Sequence, residues 1–326
     1  MVRPTLILTR SEIEKSVDLG EVIPAIERCY ADYEKGEDIL PNKFILYIGG
    51  GQAACITGYT KSTNVLTMKL GQERVKNRER GLPTSFGVIN LFDPDTGELL
   101  MICEAALPTA LRTAAAAAVS ARQLARIDSR VIGLVGTGRL GVQCIKAISH
   151  VFDFDKILLS DRNNETARNA ALGLSAELNK SVEAVSFEDA CRHSDIVVTA
   201  MNSFEPVVKS EWIKAGTHLC CMGADLHEKI ECEPEILSRC RIFADNVEHC
   251  RKRGEASLSI EKGIVSENIH AGSIGQVING TIPGRTSVEE ITMFDSVGLG
   301  TLDSTISKTI YDSAMKNGFG SRVEFV

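Results

Sequence analysis

The 326 residues, 44% hydrophobic and 24% charged, exceed what one ordinary core holds, since single cores stop growing at roughly 250 to 300 residues. The composition also excludes a disordered chain. A formal net charge of −7 at pH 7 argues against nucleic acid as the main partner, because such a surface needs a concentrated cationic footprint. No apolar run approaches the roughly 20 residues that span a bilayer, and residues 1–10 lack the apolar stretch of a secretory signal, so no membrane association and a cytoplasmic location are expected. The ten cysteines show neither a C-x-x-C pair nor Cys/His ligand spacing, which predicts buried free thiols and no metal.

In chain order, apolar residues at helical spacing (Val22, Ile23, Ile26, Cys29, Tyr30) predict an amphipathic helix over 19–34, closed by Lys35 and Gly36. Short strand-like runs follow at 43–48, 53–59, 65–70 and 85–92. Turn signals stand at Gly49-Gly50-Gly51 and Asp93-Pro94-Asp95-Thr96-Gly97, and 98–104 returns as a hairpin partner, so 40–104 reads as an antiparallel sheet. Pro108 and an alanine run at 114–118 predict a long helix over 107–125. Beyond Arg130, strands at 131–135, 156–160, 195–200 and 217–222 alternate with helices starting at Leu140 and spanning 165–179, the mark of a parallel sheet with crossover helices. A last helix is expected over 302–316.

The strand 131–135 leads straight into Gly136-Thr137-Gly138-Arg139-Leu140-Gly141 and then a helix. The glycine pattern alone is weak, but its setting gives each glycine a task. Gly136 makes the tight turn, Gly138 lets the backbone approach a pyrophosphate, Gly141 lets helix and strand pack, and the helix N-terminus faces the phosphate charge. Asp161 ends the next strand, where a carboxylate accepts hydrogen bonds from a ribose 2′-hydroxyl and repels a 2′-phosphate. NAD is therefore expected over NADP, although Arg162 beside it suits a phosphate. Ligands of such sheets sit at the strands' carboxyl ends, which places Thr199 and Ala200 beside the nicotinamide half. The same rule puts Met222, Gly223 and then Asp225 at the end of the next strand.

Leu111-Arg112-Thr113-Ala114-Ala115-Ala116, the glycine turn, Gly223-Ala224-Asp225 and Phe294-Asp295-Ser296-Val297-Gly298 occur in one order. With these motifs the chain resembles the ornithine cyclodeaminase and μ-crystallin family, and within it the archaeal type of alanine dehydrogenase, over nearly its whole length. The resemblance implies an α/β fold in which a doubly wound Rossmann domain, 113–299, is inserted into an α+β substrate-binding and dimerisation domain made of 1–112 and 300–326, the whole forming a homodimer. It further implies that Lys69 is the catalytic lysine, Arg112 the carboxylate-binding arginine and Asp225 the acid/base aspartate, with Thr84, Thr113 and Val297 near the cofactor. The chemistry agrees. Oxidising an α-amino acid needs a cation to fix the carboxylate, a bidentate task suited to Arg112, and groups that move protons as the amine becomes an imine.

The chain also departs from the family. Gly58-Tyr59 replaces a common Met-Pro, which alters the expected substrate wall, and Ile56 stands where ornithine cyclodeaminase has a glutamate. A cyclising enzyme must bind a second, cationic amino group, so Ile56 weakens that reading. If Lys43 and Arg74 join Lys69 and Arg112 at the substrate, its charge suits a dicarboxylate such as aspartate or iminosuccinate. The expectation is thus an NAD(H)-dependent amino-acid dehydrogenase or imine reductase acting on a small amino or imino acid. A cyclising lyase that recycles its NAD and a μ-crystallin-like ligand-binding protein are the alternatives.

Overall fold

In the computed structural model, which describes residues 3–325 apart from the side chain of Arg78, β1 (Thr5–Leu8) runs directly into α1 (Arg10–Ser16). Periodicity gave no sign of α1, because seven residues make too few turns to establish an apolar stripe. A capping box starts it instead, the Thr9 amide donating to the Glu12 carboxylate at 2.8 Å. α2 (Leu19–Tyr33) is the expected amphipathic helix and buries Val22, Ile23, Ile26, Cys29 and Tyr30.

Five strands follow, β2 (Phe44–Ile48), β3 (Gly51–Thr60), β4 (Val65–Glu73), β5 (Ser85–Phe92) and β6 (Leu99–Glu104), each antiparallel to the next. Gly49 and Gly50 join β2 to β3 with φ of +58° and +72°, a two-residue turn whose left-handed backbone favours glycine at both positions. α3 (Ala106–Leu124) is capped by Glu104, whose carboxylate accepts from the amides of Ala106 at 2.6 Å and Leu107 at 3.0 Å. The chain divides into two compact units, Met1–Arg112 with Leu299–Val326 and Thr113–Gly298, so α3 begins in the first and ends in the second.

The second unit is a purely parallel sheet. Its elements are β7 (Val131–Val135), α4 (Arg139–Ser149), β8 (Lys156–Ser160), α5 (Asn164–Leu178), β9 (Ser181–Ala184), α6 (Phe187–Arg192), β10 (Ile196–Thr199), β11 (His218–Cys221), α7 (Pro234–Leu237), β12 (Cys240–Ala244), α8 (Val247–Arg253), α9 (Ser257–Glu261), β13 (His270–Ser273), α10 (Ile274–Ile278) and β14 (Ile291–Asp295). The order β9-β8-β7-β10-β11-β14-β12-β13 reverses direction at β7/β10, the switch point where doubly wound sheets bind their ligands. β10 and β11 are buried along their whole length, as a parallel sheet covered on both faces requires. All ten cysteines are free thiols and eight are buried.

The chain then returns to the first unit as α11 (Gly300–Asn317) and β15 (Ser321–Val323). β15 pairs antiparallel with β1 and β1 pairs parallel with β6, so the expected antiparallel sheet is extended to seven strands, β15-β1-β6-β5-β4-β3-β2. One face is covered by α11. Gly58 of β3 lies so close beneath this helix that a Cβ there would meet the Gly300 carbonyl carbon at 2.6 Å. Gly58 is therefore the seat of α11 and not a substrate wall. On β4, Val65, Thr67 and Lys69 alternate inward while Leu66, Met68 and Leu70 face outward. Among the described residues no helix is long and apolar enough to cross a membrane.

Candidate active site

Lys69 stands in a row of apolar neighbours on the covered face, with Ile56 opposite on β3 and Ile89 on β5, followed by Cys103 on β6. A lysine so buried needs a partner. α11 supplies it: the Lys69 ammonium lies 2.5 Å from one carboxylate oxygen of Asp303, and the Nε of Arg112 lies 3.1 Å from the other. α3 adds Thr109 one turn before Arg112, its hydroxyl 3.4 Å from the Lys69 ammonium. Burial pushes Lys69 down to about 8, helped by the charges of Arg112 and Lys43 and opposed by Asp303. Burial alone would push Asp303 up, but the cations of Lys69 and Arg112 outweigh it and hold the carboxyl below its ordinary range.

Nothing local in the sequence marks Asp303, an ordinary acid in the first turn of the last helix. Arg112 is only about 7% exposed. Among the described residues its Nε bond to Asp303 is the one hydrogen bond its guanidinium makes. Both terminal nitrogens are thus left for an anion, in the fork geometry that matches a carboxylate.

Lys43 is half-buried and acts on Lys69 through its charge. Arg74 does not join them. Its guanidinium donates to the carbonyls of Gln52 and Glu73, both at 2.8 Å, and to the Gln72 side chain at 3.3 Å, so it ties β3 to the end of β4. The segment after it is a short 3₁₀ turn, Val75–Arg80. The carbonyl of Thr84 accepts from the Arg74 amide at 2.8 Å.

In the second unit the glycine turn fits a dinucleotide. Gly136 has φ of +102°, and a Cβ there would meet the Ala200 carbonyl oxygen at 2.8 Å. A Cβ at Gly141 would meet the Gly136 carbonyl oxygen at 2.3 Å, the close helix–strand contact the fingerprint requires. At Gly138 a Cβ would meet nothing within 4 Å. Gly138 is also the N-cap of α4 and offers no side-chain cap, so the amides of Arg139 and Leu140 open the helix with room for a phosphate.

Asp161 accepts from the Thr137 amide at 2.9 Å and its hydroxyl at 3.0 Å, pinning the turn to the end of β8; Arg162 is exposed. Thr113 and Val297 are buried, Val297 packing against Ala244 and Cys250. Thr199, expected beside the nicotinamide, gives its hydroxyl to a buried carboxylate, Glu231, at 2.6 Å.

Glu231 also accepts from the amides of Met201 at 2.7 Å and Gly223 at 2.9 Å, so one side chain fastens the ends of β10 and β11. Burial raises it to about 7, against the pull of those hydrogen bonds. Met222 closes β11, its amide donating to Thr199. Asp225 follows, half-exposed, with the Lys229 ammonium 2.8 Å from its carboxylate.

A family model described as ornithine cyclodeaminase/mu-crystallin family matches residues 3–318. The chain belongs to this family. An alanine dehydrogenase of Archaeoglobus fulgidus is 33% identical over 327 residues, 98% of each chain. Among solved family members, an archaeal alanine dehydrogenase dimer with bound NAD has a TM-score of 0.94 at 33% identity, covering 99% of both chains. The Δ1-pyrroline-2-carboxylate reductase of Thermococcus litoralis, in complex with NADH and L-proline, has a TM-score of 0.95 at 30% identity, covering 98% of this chain and 100% of that one.

Proposed function

We propose that the protein is an NAD(H)-dependent oxidoreductase of amino-acid dehydrogenase or imine reductase type, acting on the carbon–nitrogen bond of a small L-amino acid or its imine. The observation that carries this is the buried Arg112, held through Nε by Asp303 with its two terminal nitrogens open, next to a lysine near 8. Arg112 binds the α-carboxylate in its fork. The bound nicotinamide accepts or supplies the hydride at the α-carbon. Lys69 moves a proton at the nitrogen, and Asp225 takes or returns the second proton. NAD is the cofactor, as in the solved relatives.

Ile56 lies directly across from Lys69, so a glutamate at this position would stand beside the reacting nitrogen; its absence favours plain redox over cyclisation. Arg74 is tied to backbone carbonyls, so a dicarboxylate substrate would draw its added cation from Lys43, whose charge reaches Lys69; the substrate panel separates monocarboxylates from dicarboxylates. The test is NADH absorbance across a panel of 2-oxo acids with ammonia or methylamine, cyclic imines, and L-amino acids with NAD. No turnover with any of them while NADH still binds would favour the ligand-binding alternative.

Asp161→Ala removes both a ribose acceptor and the clamp on Thr137. The expected result is a KM for NAD raised about tenfold, the worth of one charge-assisted hydrogen bond, with discrimination against NADP reduced in parallel. Unchanged steady-state constants for both cofactors would contradict that role.

The uncovered face of the first unit's sheet suits a second copy of the chain. Phe44, Leu46, Met68, Leu70, Phe86 and Val88 are all exposed there at 42–63%, an apolar surface of the kind that monomers rarely present. One solved relative is a dimer. The protein is expected to run as a dimer in light scattering, and Leu70→Asp to shift it toward monomer at micromolar concentration.

A further inference from the structure

We propose that Lys229 is the positioning residue of Asp225, a buried ammonium that holds a half-exposed carboxylate in place just beyond the carboxyl end of β11. The inference rests on the reading of Asp225 as a proton-transfer group. Its observation is an asymmetry. A surface lysine–aspartate pair four residues apart leaves both heads in water and contributes little, but here the lysine side chain is 7% exposed and the aspartate 47%. The cation is the anchored member and the anion the presented one.

Burying an ammonium is costly unless an anion accompanies it, and the segment supplies one in Asp225. Asp225 lies 2.8 Å away, and the charge of Lys229 acts on Glu231 as well. Glu231 is itself held by the Thr199 hydroxyl and the amides of Met201 and Gly223. Behind it the Glu255 carboxylate accepts from the amides of Glu231 and Cys232, and Asp295 of β14 accepts from the Glu255 amide. The Lys229 amide bonds the Leu226 carbonyl at 3.0 Å, closing the turn that brings the ammonium back to Asp225. Both ends of the segment 225–231 are thereby fixed, one by Glu231 and the other by Lys229.

A positioning role predicts more than lost stability. Lys229→Met is expected to lower kcat at least about tenfold, to move the acid limb of the kcat–pH profile up by about one pH unit, and to leave NADH affinity within about twofold. Lys229→Arg, which keeps the charge, is expected to hold kcat within about threefold. In an Asp225→Asn background Lys229→Met should cost nothing further, because the group it acts through is gone. Lys229→Gln serves for the same comparisons if the methionine variant does not fold.

Three results would overturn the proposal: kcat unchanged in Lys229→Met, the same fractional loss in the Asp225→Asn background, or NADH affinity falling in step with kcat. If Asp225→Asn keeps full activity, the role of Asp225 itself fails. If Asp225→Asn is inactive and Lys229→Met is unimpaired, only the Lys229 assignment fails.

Discussion

Asp303→Ala is expected to abolish measurable turnover and to lower the unfolding midpoint by on the order of 10 °C. The carboxylate is fully enclosed and bridges two cations that are themselves buried, Lys69 and Arg112. Removing it leaves the pair without a counter-charge, and breaking a buried ion pair from one side costs about 3–5 kcal/mol. Activity falls for a separate reason: Arg112 loses the Nε contact that aims its fork, and Lys69 loses the charge that keeps it from dropping below 8.

Asp303→Asn should be milder in stability, since it keeps the shape but turns an amide donor toward a cation. Because Lys69 and Arg112 hold Asp303 below the usual carboxylate range, its stabilisation is fully present at neutral pH. Acid removes it as the carboxyl protonates in the folded state. Thermal unfolding and steady-state assays at neutral pH check this, and near-unaltered values in Asp303→Ala would remove Asp303 from the site.

Lys69→Ala and Asp225→Asn are each expected to cut kcat at least about a hundredfold while leaving NADH affinity nearly unchanged, the usual range for acid/base groups. Lys69 carries a second signature in pH. As pH rises through about 8 the buried ammonium becomes a neutral amine, so amino-acid oxidation, which needs a proton acceptor, should rise through that pH and level off. Imine reduction, which needs a donor, should fall through it. Lys69→Ala should flatten this limb in both directions. A limb that persists near 8 in the variant belongs to another group.

The parts of this site that were legible in the sequence are those whose signal is local. Gly136, Gly138 and Gly141 follow a buried strand within a few residues, and the structure gives each the space or crowding its role demands. The alternation from 131 onward announced the parallel sheet because its central strands β7, β8, β10 and β11 are short and buried almost throughout.

Asp303 was not legible, since it acts on Lys69 from 234 residues away and nothing near Leu302 marks it. The same holds for β1, whose partners are remote in sequence, Leu6 pairing with Met101 of β6 and with Arg322 of β15. Arg74 misled for the opposite reason: in a charge-rich stretch it read as a spare cation, whereas the structure gives its guanidinium to the carbonyls of Gln52 and Glu73. Glu231 has no local signal either, since a glutamate in a loop reads as solvated, whereas its hydrogen bonds to Thr199, Met201 and Gly223 bury it.

The most direct test of the central claim is the ratio of NADH formed to ammonia released when the enzyme is given NAD and the best L-amino acid from the substrate panel. Net redox at the carbon–nitrogen bond, with Ile56 opposite Lys69, predicts one NADH for each ammonia released, or NADH alone where the product is a cyclic imine. Ammonia released without accumulating NADH would mean that the cofactor is recycled within each turnover, and would contradict the assignment.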